Sequence, residues 1–447
     1  MSNSTVMSAS ITRWQVWHRA WPLIIASASV PLLGIVDTAV IGNIGTVYDL
    51  GALALGSLIF SFVYWGFGFL RMGTTGFVAQ ADGSQDFDEV RAIAGRSLFF
   101  GFVTGLVLIL LQQLLARFAF TLLGGSENVE EVASIYFYIR IWGAPATLGT
   151  FALVGVLIGL GESKKLLLVQ LFLNLLNALL DIVLAGYYGL GARGIAAGTL
   201  IAEWSSCLFA LFIVHRCLKS LPGLNGSVIV WGEILRRDKI LTMLSANWDI
   251  LIRTLALLGS FAWFTNQSAR YGDVTLAANH VLLQLISFSA FFLDGFAYVA
   301  ESLVGRAVGA RNRLSFNLAV ARTTELAAAA AILLTVSIWF LGPVIIVGLT
   351  DILPVQQQAI GLLVYPAVYV LLCFPAFQLD GIFIGATFTR QMRNASLASL
   401  AIFLVVWAGL SPLWGVQGLW IAFIIYVSAR AATLFYYFPR LRTMVIN

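Results

Sequence analysis

The chain has little charge and few of the residues that build metal, redox or nucleotide sites. Only 11% of its 447 residues are charged, and it contains three cysteines and three histidines. These show no metal-ligand spacing, so neither a zinc site nor a disulfide framework is predicted. No Gly-rich stretch carries the lysine of a phosphate-binding loop, which argues against nucleotide hydrolysis. The polar start has no apolar core, so no cleaved signal peptide is indicated.

Apolar residues dominate instead, at 60% of the sequence. A soluble core of this length could not bury so much apolar surface, so we expect a polytopic membrane protein. The apolar runs are continuous rather than alternating, which excludes a β-barrel. At about 20 residues per span, the sequence predicts an all-α protein with about twelve transmembrane helices.

The basic residues predict the orientation. The net charge is +5, and most of the 26 Lys and Arg residues, Arg430 among them, fall on one side of the predicted spans. Placing that side in the cytoplasm puts both termini inside. Such an excess needs no nucleic acid to explain it.

The two halves of the chain repeat each other. Segments matched between them lie at a near-constant shift, as with Gly83 and Gly309 (309 − 83 = 226) or Gly191 and Gly415 (415 − 191 = 224). We therefore predict an N-lobe at 1–216, a cytoplasmic linker at 217–240 and a C-lobe at 241–447. Six helices per lobe imply two bundles related by a pseudo-two-fold axis along the membrane normal, with substrate sites near the midplane.

The first apolar stretch, residues 21–45, contains one carboxylate and two prolines. Asp37 would cost roughly 2.5–3.5 kcal/mol as a charge at the centre of a membrane helix. Pro22 and Pro31 each lack a backbone N–H, so the helix can bend at either residue. This arrangement suggests a protonatable or ion-binding group on a moving helix. The alternative is an acid that caps the helix or reaches lipid headgroups.

An ordered set of motifs along nearly the whole chain resembles the MATE (multidrug and toxic compound extrusion) family, closest to its DinF branch. The resemblance implies a cation-coupled antiporter of the bacterial inner membrane that exports amphipathic, often cationic compounds by alternating access. It implies H⁺ coupling, with Na⁺ as a possibility, no organic cofactor and no enzymatic activity; a monomer is expected. The motifs are PLLGIVDTAVIG, NLLNALLDIVL, GLGARGIAAGT, ANWDILIRT, FFLDGFAYVAES and LDGIFIGATFTRQMRN.

The resemblance also implies a cation site in the N-lobe at Asp37, Asn177, Asp181 and Thr199. Asn177 and Asp181 lie four residues apart and share one helix face. The four side chains would suit Na⁺, or one proton shared by two carboxylates that repel each other when both are ionised. We expect protonation of Asp37 to bend the first helix at Pro22 or Pro31. A structural hydrogen-bond network between helices is the alternative.

A second polar set is predicted in the C-lobe. Asp249 and Arg253 can pair at i and i+4, while Asp294 and Asp380 lie in later helices. This set could be a second cation path, an anionic floor for cationic substrates, or a structural bridge made by Arg253. With a shift of 224, Asn177 and Asp181 correspond to Ala401 and Val405, so the N-lobe site has no polar copy.

Tyr136 is a possible substrate contact, since its ring could stack on a flat cation. It could equally belong to the aromatic belt at the membrane interface. Two other functions were weighed. A flippase for lipid-linked precursors would need a strongly basic cavity, whereas the intramembrane charge here is mainly acidic. An intramembrane enzyme is disfavoured because no His–acid pair or nucleophile motif is present.

Overall fold

The computed structural model describes residues 11–123, 126–223 and 231–444, and the regular structure in them is helical throughout. The all-α prediction is therefore confirmed. The first half contains α1 (Arg13–Ile44), α2 (Val47–Gly66), α3 (Phe69–Gly83), α4 (Phe87–Leu110), α5 (Gln112–Leu123), α6 (Glu127–Arg140), α7 (Ala144–Gly159), α8 (Ser163–Asp181) and α9 (Gly191–Ser220). The second half contains α10 (Trp231–Ile234), α11 (Arg237–Ala269), α12 (Asp273–Gly309), α13 (Arg313–Leu349), α14 (Leu353–Gly361), α15 (Val364–Gly385) and α16 (Thr389–Met444).

Eleven helices in the described part of the chain are long and apolar enough to cross a membrane. One of them is α16, whose 56 residues would extend about 84 Å, whereas the hydrocarbon core is about 30 Å thick. The rings of Phe403 and Phe423 nevertheless lie 5.9 Å apart, so α16 folds back on itself. Counting its two arms separately gives twelve spans, as the sequence predicts.

The reversal of α16 depends on Gly415. Its φ of 54° and ψ of −130° are accessible to glycine and strained for other residues. Pro412, three residues earlier, lacks the N–H that would continue the helix. Gly191, at the start of α9, has a φ of 56°. In both halves the chain therefore changes direction at a glycine with a positive φ, and the two glycines match in the sequence repeat.

Helix starts also match between the halves. Asp86 caps α4 by accepting from the backbone N–H of Glu89 at 3.1 Å. Asn312 caps α13 in the same way, accepting from Ser315 at 2.9 Å. Such caps satisfy N–H groups that have no partner within the helix, so the equivalent helices begin at equivalent residues.

Two compact units make up the structure. One is Ile25–Leu244, and the other combines Met1–Ile24 with Ser245–Asn447. The predicted linker, 217–240, lies partly outside the described residues. In its described part, α9 runs to Ser220 and α11 begins at Arg237. The predicted lobe boundaries stay a prediction.

The second unit has an aromatic core. Phe423 lies at its centre, with ring centroids 4.7 Å from Phe264 and 4.9 Å from Tyr369. The rings of Trp263 and Trp407 meet edge to face at 5.0 Å and pack against this core. Contacts of this kind stabilise by roughly 0.5–1.5 kcal/mol each beyond the area that they bury.

Candidate functional site

The structure brings together the four residues predicted for the N-lobe cation site, from α1, α8 and α9. The Asn177 amide lies at their centre, and its oxygen and nitrogen can be placed in two ways. In one, its nitrogen donates to the Thr199 hydroxyl at 3.0 Å. In the other, its nitrogen donates to Asp181 (3.1 Å) and Asp37 (3.3 Å), and its oxygen accepts from Thr199 at 3.0 Å. The hydroxyl serves both orientations because it can donate or accept.

This cluster is closed to solvent. Asn177 and Asp181 are 0% exposed, and Asp37 is 7% exposed. The side chains of Asp37 and Asp181 lie within hydrogen-bonding contact. Two ionised carboxylates at such close range in a low dielectric repel each other strongly. The arrangement therefore favours one proton, or one cation, between them.

Na⁺ is a hard cation and, like Ca²⁺ and Mg²⁺, takes oxygen ligands. Two carboxylates and the Thr199 hydroxyl are available in either orientation. The Asn177 oxygen faces the carboxylates only when its nitrogen is turned to Thr199. The residues therefore fit Na⁺ in one amide orientation, and fit a hydrogen-bonded carboxyl pair in the other. No group of three or more His, Cys, Asp or Glu suited to a metal occurs in the described residues.

The backbone around Asp181 explains how the cluster closes. Asp181 ends α8 and is followed by a π-helical segment, Ile182–Tyr187. Such segments are rare in proteins, and those that occur are often found at functional sites. Two glycines of α9 allow it to approach the end of α8 and the π-helical segment closely. A Cβ at Gly198 would lie 2.8 Å from the Asp181 carboxylate, and one at Gly194 would lie 2.6 Å from the backbone of Ala185.

Pro22 and Pro31 both lie inside α1, which is helical on either side of each. Two residues before Pro31, the carbonyl of Ser29 accepts from the Asn174 amide at 3.1 Å. Contacts from α8 thus hold α1 on both sides of Pro31, at Ser29 and at Asp37. Bending of α1 at either proline stays a prediction.

A buried ion pair beside the cluster was not predicted. Arg140 at the end of α6 lies 3.6 Å from the Glu203 carboxylate on α9 and within electrostatic range of Asp37 and Asp181. It also stacks over Phe60 at 4.8 Å. Sequence spacing carried a signal, because Glu203 follows Thr199 by four residues and so shares its helix face.

Tyr136 lies in the core of the first unit. It is fully buried, and its hydroxyl accepts from Arg140 at 2.9 Å. Gly56 makes room for its ring, since a Cβ there would lie 2.4 Å from it. Contact with a substrate stays a prediction, and it would require the ring to become exposed.

The C-lobe residues separate into two groups. Asp380 accepts from both Arg253 and Arg430, and Asp294 is within electrostatic range of Arg430. The sequence analysis counted Arg430 with the cytoplasmic basic residues, but the structure buries it. Two arginines therefore share this cluster with two acids.

Asp249 belongs to the second group. It pairs with Arg393 at 2.7 Å and accepts from Thr389 at 3.2 Å. The described partners of Asp249 are thus Arg393 and Thr389, and not Arg253, with which the i,i+4 spacing would allow it to pair.

The structure corrects the register of the repeat. The helices α8 and α16 begin at Ser163 and Thr389 (389 − 163 = 226), whereas the turns at Gly191 and Gly415 differ by 224. The first half therefore has two more residues in the region of its π-helical segment. Counted from the helix starts, Asn177 and Asp181 fall on Phe403 and Trp407, two residues beyond the Ala401 and Val405 that a shift of 224 gives.

Applied to the whole cluster, this register gives four aromatic counterparts. The starts of α2 and α12 differ by 226 (273 − 47), and this shift places Asp37 on Trp263, whose ring meets that of Trp407. Thr199 corresponds to Phe423, whose ring meets that of Phe403. The expectation that the polar cluster has no copy in the second half holds, and aromatic rings fill the equivalent positions. The counterparts are Trp263, Phe403, Trp407 and Phe423, and we call them the aromatic quartet.

Twelve spans in two repeated halves, with a buried cluster of acids, amide and hydroxyl in one of them, define a polytopic membrane transporter. Comparison with known proteins agrees. The MatE family model matches residues 22–183 and 250–408, and the chain belongs to that family. It is a transporter and not an enzyme.

Relatives and solved structures agree with this assignment. The chain is 34% identical to "DNA damage-inducible protein F" of Escherichia coli over 94% of its length and 90% of that protein. It is 24% identical to the "Probable multidrug resistance protein NorM" of Acinetobacter baylyi, over 80% of each chain. A mutant of the Vibrio cholerae MATE transporter VcmN has the same fold, with a TM-score of 0.86 at 19% identity, over 97% of this chain and 98% of that one.

Proposed function

We propose that this protein is a cation-coupled antiporter that exports amphipathic, cationic compounds by alternating access, with H⁺ as the coupling ion. The observation that carries the proposal is the buried contact between Asp37 and Asp181, bridged by Asn177. The family assignment and the multidrug description of the NorM relative support the efflux direction. Relatives in bacteria support an inner-membrane location. Cytoplasmic termini and a monomeric state are part of the same proposal.

Proton coupling is favoured by the hydrogen-bond chemistry of the cluster. When both carboxylates are ionised, the Asn177 N–H can donate to each. When one is protonated, its O–H can donate to the Asn177 oxygen after the amide turns, and Thr199 accommodates either state. The fixed charge of Arg140 nearby also offsets part of the negative charge when no proton is bound. Na⁺ coupling is the second candidate, because the same residues offer it oxygen ligands.

Protonation would be transmitted through α1. Asp37 gives up its charge, the hydrogen bond from the Asn177 amide is exchanged, and the contact between α8 and α1 beyond Pro31 weakens. The contact of Asn174 with Ser29 on the other side of Pro31 carries no titratable group. A loss on one side only would bend the helix at the proline, where a backbone hydrogen bond is already missing.

The energy available is sufficient for efflux. Exchange of one proton for one monovalent cation moves no net charge, so the pH gradient and not the membrane potential drives it. A difference of about one pH unit supplies about 1.4 kcal/mol, which supports a concentration ratio of about ten. One proton per exported cation would therefore sustain a modest resistance.

The test is dye efflux from proteoliposomes under an imposed pH gradient or an imposed Na⁺ gradient. Asp37→Asn keeps the shape of the side chain and removes its charge, while Asp351→Asn changes an exposed acid and serves as the control. We expect efflux driven by the pH gradient alone, lost in Asp37→Asn and kept in Asp351→Asn. Efflux driven only by the Na⁺ gradient would contradict proton coupling and would make Na⁺ the coupling ion.

The flippase alternative is tested in the same vesicles. It would need a basic cavity, and the arginines of the C-lobe cluster have acidic partners. Failure of both gradients to drive dye efflux, together with translocation of a fluorescent lipid-linked pyrophosphate, would replace the antiporter proposal by the flippase.

A further inference from the structure

Two buried arginines of α4 hold the described ends of the segment that connects the two predicted lobes. Arg91 is 2% exposed, and a guanidinium in such a place needs hydrogen-bond partners. It donates to the carbonyls of Leu218 (3.4 Å), Leu221 (2.9 Å) and Pro222 (2.9 Å). These carbonyls lie at and beyond the end of α9, where helices leave acceptors without partners.

Arg96 holds the other end of the segment. It is 1% exposed and donates to the carbonyls of Glu233 (2.8 Å) and Ile234 (3.1 Å) in α10. It also lies 3.5 Å from the Glu89 carboxylate, which is 3.4 Å from the Lys239 ammonium at the start of α11. One face of α4 thus contacts α9, α10 and α11.

Close packing accompanies these hydrogen bonds. Ile234 is buried against α4 at Gly95, where a Cβ would come within 2.6 Å of the Ile234 side chain. The sulfur of Met243, two turns into α11, lies 3.4 Å from Arg96. Met243 is also buried. The beginning of α11 therefore packs with α4, in agreement with its inclusion in the Ile25–Leu244 unit.

We propose that Arg91 and Arg96 form a clamp that fixes the described ends of the connecting segment, at Leu218–Pro222 and Glu233–Ile234, to α4, so that the beginning of α11 moves with the Ile25–Leu244 unit. A flexible connecting segment could change its conformation when that unit is displaced, so α11 would stay where it is. With the ends of the segment fixed to α4, the beginning of α11 is displaced together with the unit. The described part of the polar stretch at 217–240 is thus a mechanical element rather than a flexible tether.

The experiment measures the mobility of a nitroxide label at Leu235→Cys by electron paramagnetic resonance, on the full chain in nanodiscs. Leu235 is exposed and follows Ile234, and the three native cysteines are buried. We expect an immobilised spectrum in the otherwise unaltered protein. Arg96→Met, which removes the donors and keeps most of the side-chain length, should convert it largely to a mobile one.

A second perturbation leaves both charges in place. Gly95→Ala adds a methyl group that collides with Ile234 and should mobilise the label. Combining it with Ile234→Ala removes the colliding atoms and should restore much of the immobilised signal. Arg236→Met is the control, because Arg236 is exposed and pairs only with its neighbours Glu233 and Asp238 among the contacts described.

A mobile label in the unaltered chain would overturn the proposal. So would equal spectra for Arg96→Met and Arg236→Met, or a Gly95→Ala spectrum that stays immobilised. Should Arg96→Met fail to fold, Gly95→Ala and its double variant decide the question. The readout needs no transport, so its outcome is independent of the coupling ion and of the substrate.

Discussion

Neutralising Asp380 should lower the stability of the second unit more than neutralising Asp249. Asp380 is buried and accepts from two buried guanidinium groups, Arg253 and Arg430. Asp380→Asn keeps the shape but leaves both arginines without that negative charge. Removing one partner of a buried pair destabilises a protein by about 3–5 kcal/mol. This corresponds to roughly two to four powers of ten in the ratio of folded to unfolded protein.

The assay uses a native reporter. Cys373 lies on α15 with Asp380 and is buried, so a thiol-reactive fluorophore labels it only when the helix bundle opens. With Cys207 and Cys217 replaced by Ser in every sample, labelling of Cys373 during a temperature ramp should begin at a much lower temperature in Asp380→Asn than in the parent protein. The matched control is Asp249→Asn, because Asp249 has one arginine partner among the described residues, Arg393, whose side chain is 27% exposed. Loss of a single, partly solvated partner should cost less than the loss at Asp380.

A double variant sharpens the test. Arg430→Met combined with Asp380→Asn removes one charge of each sign, so the net charge of the cluster stays as it is in the unaltered protein. It should recover part of the lost stability. Equal labelling temperatures for Asp380→Asn and Asp249→Asn would refute the reasoning. So would normal stability of Asp380→Asn with transport lost, since that result would make Asp380 a transport residue.

Three further outcomes follow from contacts of single residues. Gly198→Ala places a methyl group 2.8 Å from the Asp181 carboxylate and should slow dye efflux about tenfold, the equivalent of 1.4 kcal/mol, whereas Gly42→Ala meets nothing within 4 Å and should not. Gly415→Ala puts a side chain at a φ of 54° and should destabilise by about 1–3 kcal/mol; Gly409→Ala, in open space, should be neutral or stabilising in the same thermal assay. Arg13→Ala breaks an ion pair whose arginine side chain is 66% exposed, and should shift the unfolding temperature little.

The sequence was sufficient for the fold and for the polar cluster of the first half. Carboxylates and amides in apolar segments are unfavourable in hydrocarbon, so Asp37, Asn177 and Asp181 had to face the interior. Helical spacing placed Asn177 and Asp181 on one face. Their grouping with Asp37 and Thr199 came from the resemblance to the MATE family, because sequence spacing cannot bring three separate helices together.

Other features depended on tertiary contacts. Arg430 is one basic residue among many at a helix end, and only the position of Asp380 shows that it is buried. Glu203 lies on the face of Thr199, but its partner Arg140 comes from a helix about sixty residues earlier in the chain. The π-helical segment after Asp181 has no distinctive composition, so its effect on the repeat register could not be foreseen.

The aromatic quartet makes the two halves chemically different at matching positions. The first half has carboxylates, an amide and a hydroxyl where the second half has Trp263, Phe403, Trp407 and Phe423. Single substitutions cannot build a polar cluster in the second half at low energetic cost. In Trp407→Asp, for example, the carboxylate would face the ring of Trp263 and the aromatic core, with no amide or hydroxyl to donate a hydrogen bond to it. Such a variant would carry a buried charge with no partner. The cost of burying an unpaired charge among these aromatic residues therefore keeps the polar cluster confined to the first half.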